Sequence, residues 1–131
     1  MRAQKPYASF NHIGIYVSDV KKSAAFYIKL FHLDTIKTPF PGQPVIWLKI
    51  GNHSQIHLIQ GKKEEIVISP ENHIAFSVPS MFDFITFLQK ENIYYEGETG
   101  KANTFVMQPG GVKQIYLKDP DGYWIEVNDA P

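Results

Sequence analysis

The sequence predicts an α+β fold made of two copies of one βαβββ unit, and three observations carry that prediction. A strand-like segment occurs twice, as Asn11-His12-Ile13-Gly14-Ile15-Tyr16-Val17 and as Asn72-His73-Ile74-Ala75-Phe76-Ser77-Val78. Each copy runs into a helical pattern: Val20 to Phe31 with Ala24, Tyr27, Leu30 and Phe31 on one side, then Met81 to Lys90 with Phe84, Ile85 and Leu88. After each helix come short strand-like runs whose ends match again, Trp47-Leu48-Lys49 with Tyr116-Leu117-Lys118 and Ile56-His57-Leu58 with Ile125-Glu126-Val127. A strand, a helix and several strands, twice over, is the order of a mostly antiparallel α+β protein rather than an alternating α/β one.

The elements follow in order. Asp19 and Ser80 stand where an N-cap is needed, just before the two helical patterns. Thr38-Pro39-Phe40-Pro41-Gly42-Gln43-Pro44 reads as a turn or loop inside the first copy. The closing strands repeat at a longer offset than the opening ones, which places extra residues in the second copy, most simply in the Gly-, Asn- and Thr-rich stretch from Gly97 to Gly111. Asp119-Pro120-Asp121-Gly122 is a turn before the last strand, with Pro120 presetting φ and Gly122 free to take a positive φ. The copies span 10–60 and 72–128, joined by a linker over 61–71 whose Lys62-Lys63-Glu64-Glu65 run is a solvated loop. Together they are expected to form one domain over 1–131, a length that buries roughly two thirds of its unfolded surface without staples.

Composition excludes several classes. Lys plus Arg and Asp plus Glu number 13 each, so no basic field draws the chain to nucleic acid. No apolar run approaches the roughly 20 residues that span a bilayer, and Met1 to Phe10 lacks the apolar core of a secretory signal, so a cytoplasmic protein is expected. The chain has no cysteine, hence no disulfide, no thiolate ligand and no thiol nucleophile. A metal would have to be held by nitrogen and oxygen.

Alternation along the strands then sorts the polar residues. Ile13, Ile15 and Val17 oppose His12, Gly14 and Tyr16, and Ile74, Phe76 and Val78 oppose His73, Ala75 and Ser77. Ile56 and Leu58 oppose Gln55, His57 and Ile59, while Ile125 and Val127 oppose Trp124, Glu126 and Asn128. His12, His57, His73 and Glu126 thus all leave the helix-packed face, and Gly14, Ala75 and Ser77 leave room beside the opening histidines. A lone strand histidine is more often structural than a ligand, but four ligand-type residues at equivalent positions of a repeat are not independent accidents. Three imidazoles and one carboxylate suit one divalent ion per site, Zn, Ni, Co, Fe or Mn. His32, at the end of the first helix, and His53, in the turn Gly51-Asn52-His53-Ser54, take no such role.

These residues resemble the vicinal oxygen chelate superfamily, the glyoxalase, bleomycin resistance protein and dioxygenase group. The resemblance runs from about Phe10 to Asn128 and is carried by the two Asn-His strands, by Gln55-Ile56-His57-Leu58-Ile59 and by Lys118-Asp119-Pro120-Asp121-Gly122-Tyr123-Trp124-Ile125-Glu126-Val127. It implies paired βαβββ modules curled around a metal, often in a homodimer, with ligands at His12, His57, His73 and Glu126. Dioxygenase and fosfomycin-type relatives use the positions of His12, His73 and Glu126 alone; glyoxalases and epimerases use all four, with Glu or Gln where this chain has His57.

The leading expectation from that resemblance is a lyase or isomerase of the glyoxalase-like group. It would act on a small substrate with vicinal oxygens through a metal-stabilised enediolate, with Glu126 as ligand and base and His57 as ligand or acid–base partner. An Fe(II) extradiol-type dioxygenase, a non-catalytic antibiotic-binding protein and thiol transfer to an epoxide antibiotic are the alternatives. Tyr16, Trp47, Phe105, Lys113, Tyr116 and Trp124 are candidate walls of the substrate pocket. Glutathione carboxylates usually call for arginine forks; the single arginine is Arg2, and Lys101 and Lys113 are the substitutes on offer.

Overall fold

A computed structural model describes residues 5–97 and 99–131 of the chain, so Arg2 and Glu98 lie outside the described residues. The chain divides into two units, Met1–Ile66 and Val67–Pro131. The first runs β1 (His12–Val17), α1 (Val20–Phe31), β2 (Asp34–Ile36), β3 (Val45–Ile50) and β4 (Ser54–Gln60), then a single 3₁₀ turn at Lys63–Glu65. The second runs β5 (His73–Ser77), α2 (Met81–Lys90), β6 (Val106–Met107), β7 (Lys113–Lys118) and β8 (Trp124–Asn128).

Each unit is a four-stranded mixed sheet, in the orders β1-β4-β3-β2 and β5-β8-β7-β6. The last strand of each unit inserts beside the first and parallel to it, and the other neighbours pair antiparallel. A parallel pair needs a long connection; here the helix and the two following strands supply it. The closing strand is thereby central, which makes the matching residues Ile56 and Ile125 fully buried. Among the described residues no helix is long and apolar enough to cross a membrane.

The helices bury the stripes that their periodicity marks out. In α1 Val20, Ser23, Ala24, Tyr27 and Leu30 are buried, and in α2 Met81, Phe84 and Leu88. Phe31 and Ile85, at the edges of those stripes, stay half-exposed. Asp19 caps α1 by accepting from the Lys22 amide at 3.1 Å, and Ser80 caps α2 by accepting from the Asp83 amide at 3.1 Å. His32 ends α1 in the left-handed region at φ 52, and its amide donates to the Ile28 carbonyl.

The turn before β8 is built around a buried carboxylate. Asp119 Oδ1 accepts from the amides of Asp121 and Tyr123, each at 2.9 Å, and Gly122 takes φ 91. Hydrogen bonds to an ionised acceptor are the strong ones. Asp119→Ala is therefore expected to cost about 2–3 kcal/mol in urea unfolding, whereas Asp119→Asn, which keeps the acceptor, should lose less than half of that. Equal losses for the two variants would contradict this account of the turn.

Candidate metal half-sites

In the first unit the register brings three rings together. Trp47 on β3 is the direct cross-strand partner of His57 on β4, so their side chains share a face, and they stack at 3.8 Å with 2° between planes. On the other flank His57 faces Gly14 of β1, which has no side chain to fill the space. The ring of His12, two residues earlier on the same face, occupies it and stacks on His57 at 4.0 Å and 18°. Phe40 closes the outer side with its edge toward Trp47 at 6.1 Å.

Hydrogen bonds set the orientation of both imidazoles. His12 Nδ1 lies 2.6 Å from Asn11 Oδ1, and His57 Nε2 lies 2.8 Å from Gln55 Oε1. Each amide oxygen accepts from an N–H, which leaves the lone pair on Nε2 of His12 and on Nδ1 of His57. His57 is buried, and that burial, with His12 beside it, pulls its imidazole below the ordinary histidine range. The third residue of this face, Tyr16, lays its ring over Gly61, where any Cβ would collide with it. Tyr16 also hydrogen-bonds Glu65, whose charge, ahead of burial, raises the phenol above its usual value.

In the second unit β5 and β8 supply the matching residues. Ala75 is the direct partner of Glu126, so a methyl group is all that stands beside the carboxylate on that side. His73 Nδ1 donates to the Glu71 carbonyl at 3.1 Å, which puts its lone pair on Nε2, 3.7 Å from Glu126 Oε1. Two ligands each roughly 2.0–2.2 Å from a common ion can be that far apart. The other oxygen, Oε2, accepts from Asn128 Nδ2 at 2.8 Å. Among the described residues no group of three or more His, Cys, Asp or Glu forms a metal-holding cluster; each unit brings together two of the four expected residues.

The four pocket candidates of the second unit divide between two faces of its sheet. Tyr116 is the cross-strand partner of Glu126, and its hydroxyl accepts from Gln114 Nε2 at 2.6 Å. Trp124 shares that face, with the Lys118 ammonium 4.6 Å from its ring centre. Lys113 instead shares the face of Ile115 and Leu117, the buried side of β7. With Phe105 it lines a half-open cavity of about 650 Å³ against α2, beside Phe82, Ile85 and Asp129. The second unit therefore presents Tyr116 and Trp124 alongside Glu126, and Phe105 and Lys113 across the sheet from it. Lys101 is exposed.

Sequence reasoning missed the groups that orient the candidate side chains. Asn11, Gln55 and Asn128 each sit one or two residues from the side chain they hold, so their proximity was visible while their contacts were not. The Glu71 carbonyl is a main-chain atom and carried no signal.

Residues 9–127 match the model of the Glyoxalase/Bleomycin resistance protein/Dioxygenase superfamily. The chain is 36% identical over 128 residues to the metallothiol transferase FosB of Staphylococcus epidermidis, covering 92% of this chain and 80% of that one. It is 30% identical over 131 residues to Glyoxylase I 4 of Arabidopsis thaliana, covering 91% and 69%. Among solved structures, the oxidase ChaP-H2 superimposes with a TM-score of 0.77 at 22% identity, covering 96% of each chain. That last likeness is one of fold.

Proposed function

Because the chain belongs to the Glyoxalase/Bleomycin resistance protein/Dioxygenase superfamily, we propose that it is a metal-dependent enzyme acting on a small substrate with vicinal oxygens. In this reading His12, His73 and Glu126 hold the metal. The observation that carries the choice of these three residues is the Trp47–His57–His12 stack. A ligating imidazole keeps the ion in its own ring plane, and planes 18° apart with ring centres 4.0 Å apart do not meet at one ion. His57 is then a stacked wall of the site whose Nδ1 is available for proton transfer.

The donor set suits the group. Both opening histidines have Nδ1 hydrogen-bonded and Nε2 left to bind, the arrangement that second-shell partners impose on ligating imidazoles. Two nitrogens and one carboxylate fit Zn, Ni, Co, Fe or Mn. Such a cation supplies a Lewis acid that lowers the pKa of a C–H next to a carbonyl. His57 removes and returns that proton, Gln55 fixes the ring that does so, and Trp47 keeps water from its face. The reaction class is a glyoxalase-like lyase or isomerase. A second reading, thiol transfer to an epoxide, draws on the 36% identity to a metallothiol transferase and on the three-ligand set itself.

The test compares wild type with His57→Ala, both free of affinity tags, by elemental mass spectrometry and by NMR in D₂O. About one divalent metal per site is expected in both proteins. Wild type alone should exchange the proton next to the carbonyl of dihydroxyacetone or of the methylglyoxal–glutathione hemithioacetal. Metal lost from His57→Ala would restore the four-ligand set and overturn the acid–base role of His57. Absence of exchange in metal-loaded wild type, together with consumption of a thiol and an epoxide antibiotic, would select the second reading.

A further inference from the structure

We propose that Asn128 is a positioning residue that turns Glu126 into a one-oxygen ligand. The inference rests on the reading of Glu126 as a metal ligand. Asn128 lies two residues on from Glu126 along β8, so both side chains rise from the same face. Its carboxamide is fixed at both ends. Oδ1 accepts from the Ala130 amide at 3.1 Å and from Ser77 Oγ at 3.1 Å. The Ala130 N–H can only donate, so it settles which end of the carboxamide is oxygen. Nδ2 is therefore the atom 2.8 Å from Glu126 Oε2.

The consequence falls on the carboxylate. Oε2 is held by a neutral donor that is itself tied to two points of the backbone and sheet. Oε1 is the oxygen on the His73 side, 3.7 Å from Nε2. Asn128 thus divides the two oxygens between protein and ion, and it fixes the rotamer of Glu126 before any ion arrives.

The first unit has no equivalent. At the positions that match Asn128 and Ser77 it carries Ile59 and Tyr16, and its closing-strand residue His57 is held from the opposite side, by Gln55. The clamp therefore accompanies the carboxylate and is not a general feature of the repeat.

The test is Co²⁺ titration of wild type, Asn128→Ala and Ser77→Ala, followed by visible absorption, with the melting temperature of each metal-free protein measured in parallel. Asn128→Ala should bind Co²⁺ about 10- to 100-fold more weakly and with a changed d–d spectrum, as both oxygens become available to the ion. Ser77→Ala, which removes one of the two anchors, should move affinity and spectrum the same way by less. Should Asn128→Ala fail to fold, Ser77→Ala decides by its spectrum. An unaltered affinity and spectrum, even with a lowered melting temperature, would make Asn128 merely structural and overturn the proposal. Wild type that takes up no Co²⁺ at all would instead remove the metal reading on which it stands.

Discussion

Glu126→Ala is expected to abolish stoichiometric uptake of a divalent cation and to lower kcat/KM by about a thousandfold or more. Glu126 is the single carboxylate of the proposed set, and His12 and His73 alone leave two neutral donors. A Lewis acid contributes several kcal/mol of transition-state stabilisation, and at about 1.36 kcal/mol per factor of ten its loss reaches that range. Glu126→Gln separates charge from shape, since it keeps an oxygen for the ion and should retain weak metal binding. Elemental mass spectrometry after dialysis reads the first effect, and initial rates on the substrate that shows exchange read the second. Full metal content in Glu126→Ala would remove this residue from the site.

Ile125→Ala carries the largest expected cost to the fold itself. Ile125 is fully buried in the central strand β8, between Ile74 of β5 and Leu117 of β7. Removing a buried isoleucine to alanine costs about 2–5 kcal/mol, a large share of a typical total of about 5–15 kcal/mol. Ile56→Ala, the matching change between Ile13 and Leu48, should cost a similar amount. Urea unfolding measures both. Since Glu126 projects from the other face of β8, Ile125→Ala protein kept cold should still take up metal, and a loss below about 1 kcal/mol would mean that the strand is not the centre of its unit.

Much of this was legible in the sequence because it depends on periodicity. Two-residue alternation put His12, His57, His73 and Glu126 on the face away from the helices, and the structure of each unit has them there. The same alternation applied to β7 would have separated Lys113 from Tyr116, whose positions differ by an odd number. The His57 stack was beyond reach for another reason: it depends on the pairing of Trp47 with His57 and of Gly14 with His57, which is register, and on rotamers chosen by hydrogen bonds to Asn11 and Gln55. Pattern alone showed which face a side chain takes, while partner strands and short hydrogen bonds decide what it touches there.

The chain's two tryptophans give each unit its own optical reporter. Trp47 lies flat against His57, so its emission responds to any change in the charge or tilt of that imidazole, and through it to His12. Trp124 sits beneath the Lys118 ammonium and two residues from Glu126 on the same face, so its emission follows the charge balance on that face of the second unit. Fluorescence of Trp47→Phe and Trp124→Phe variants can therefore follow the two units separately, with no label attached.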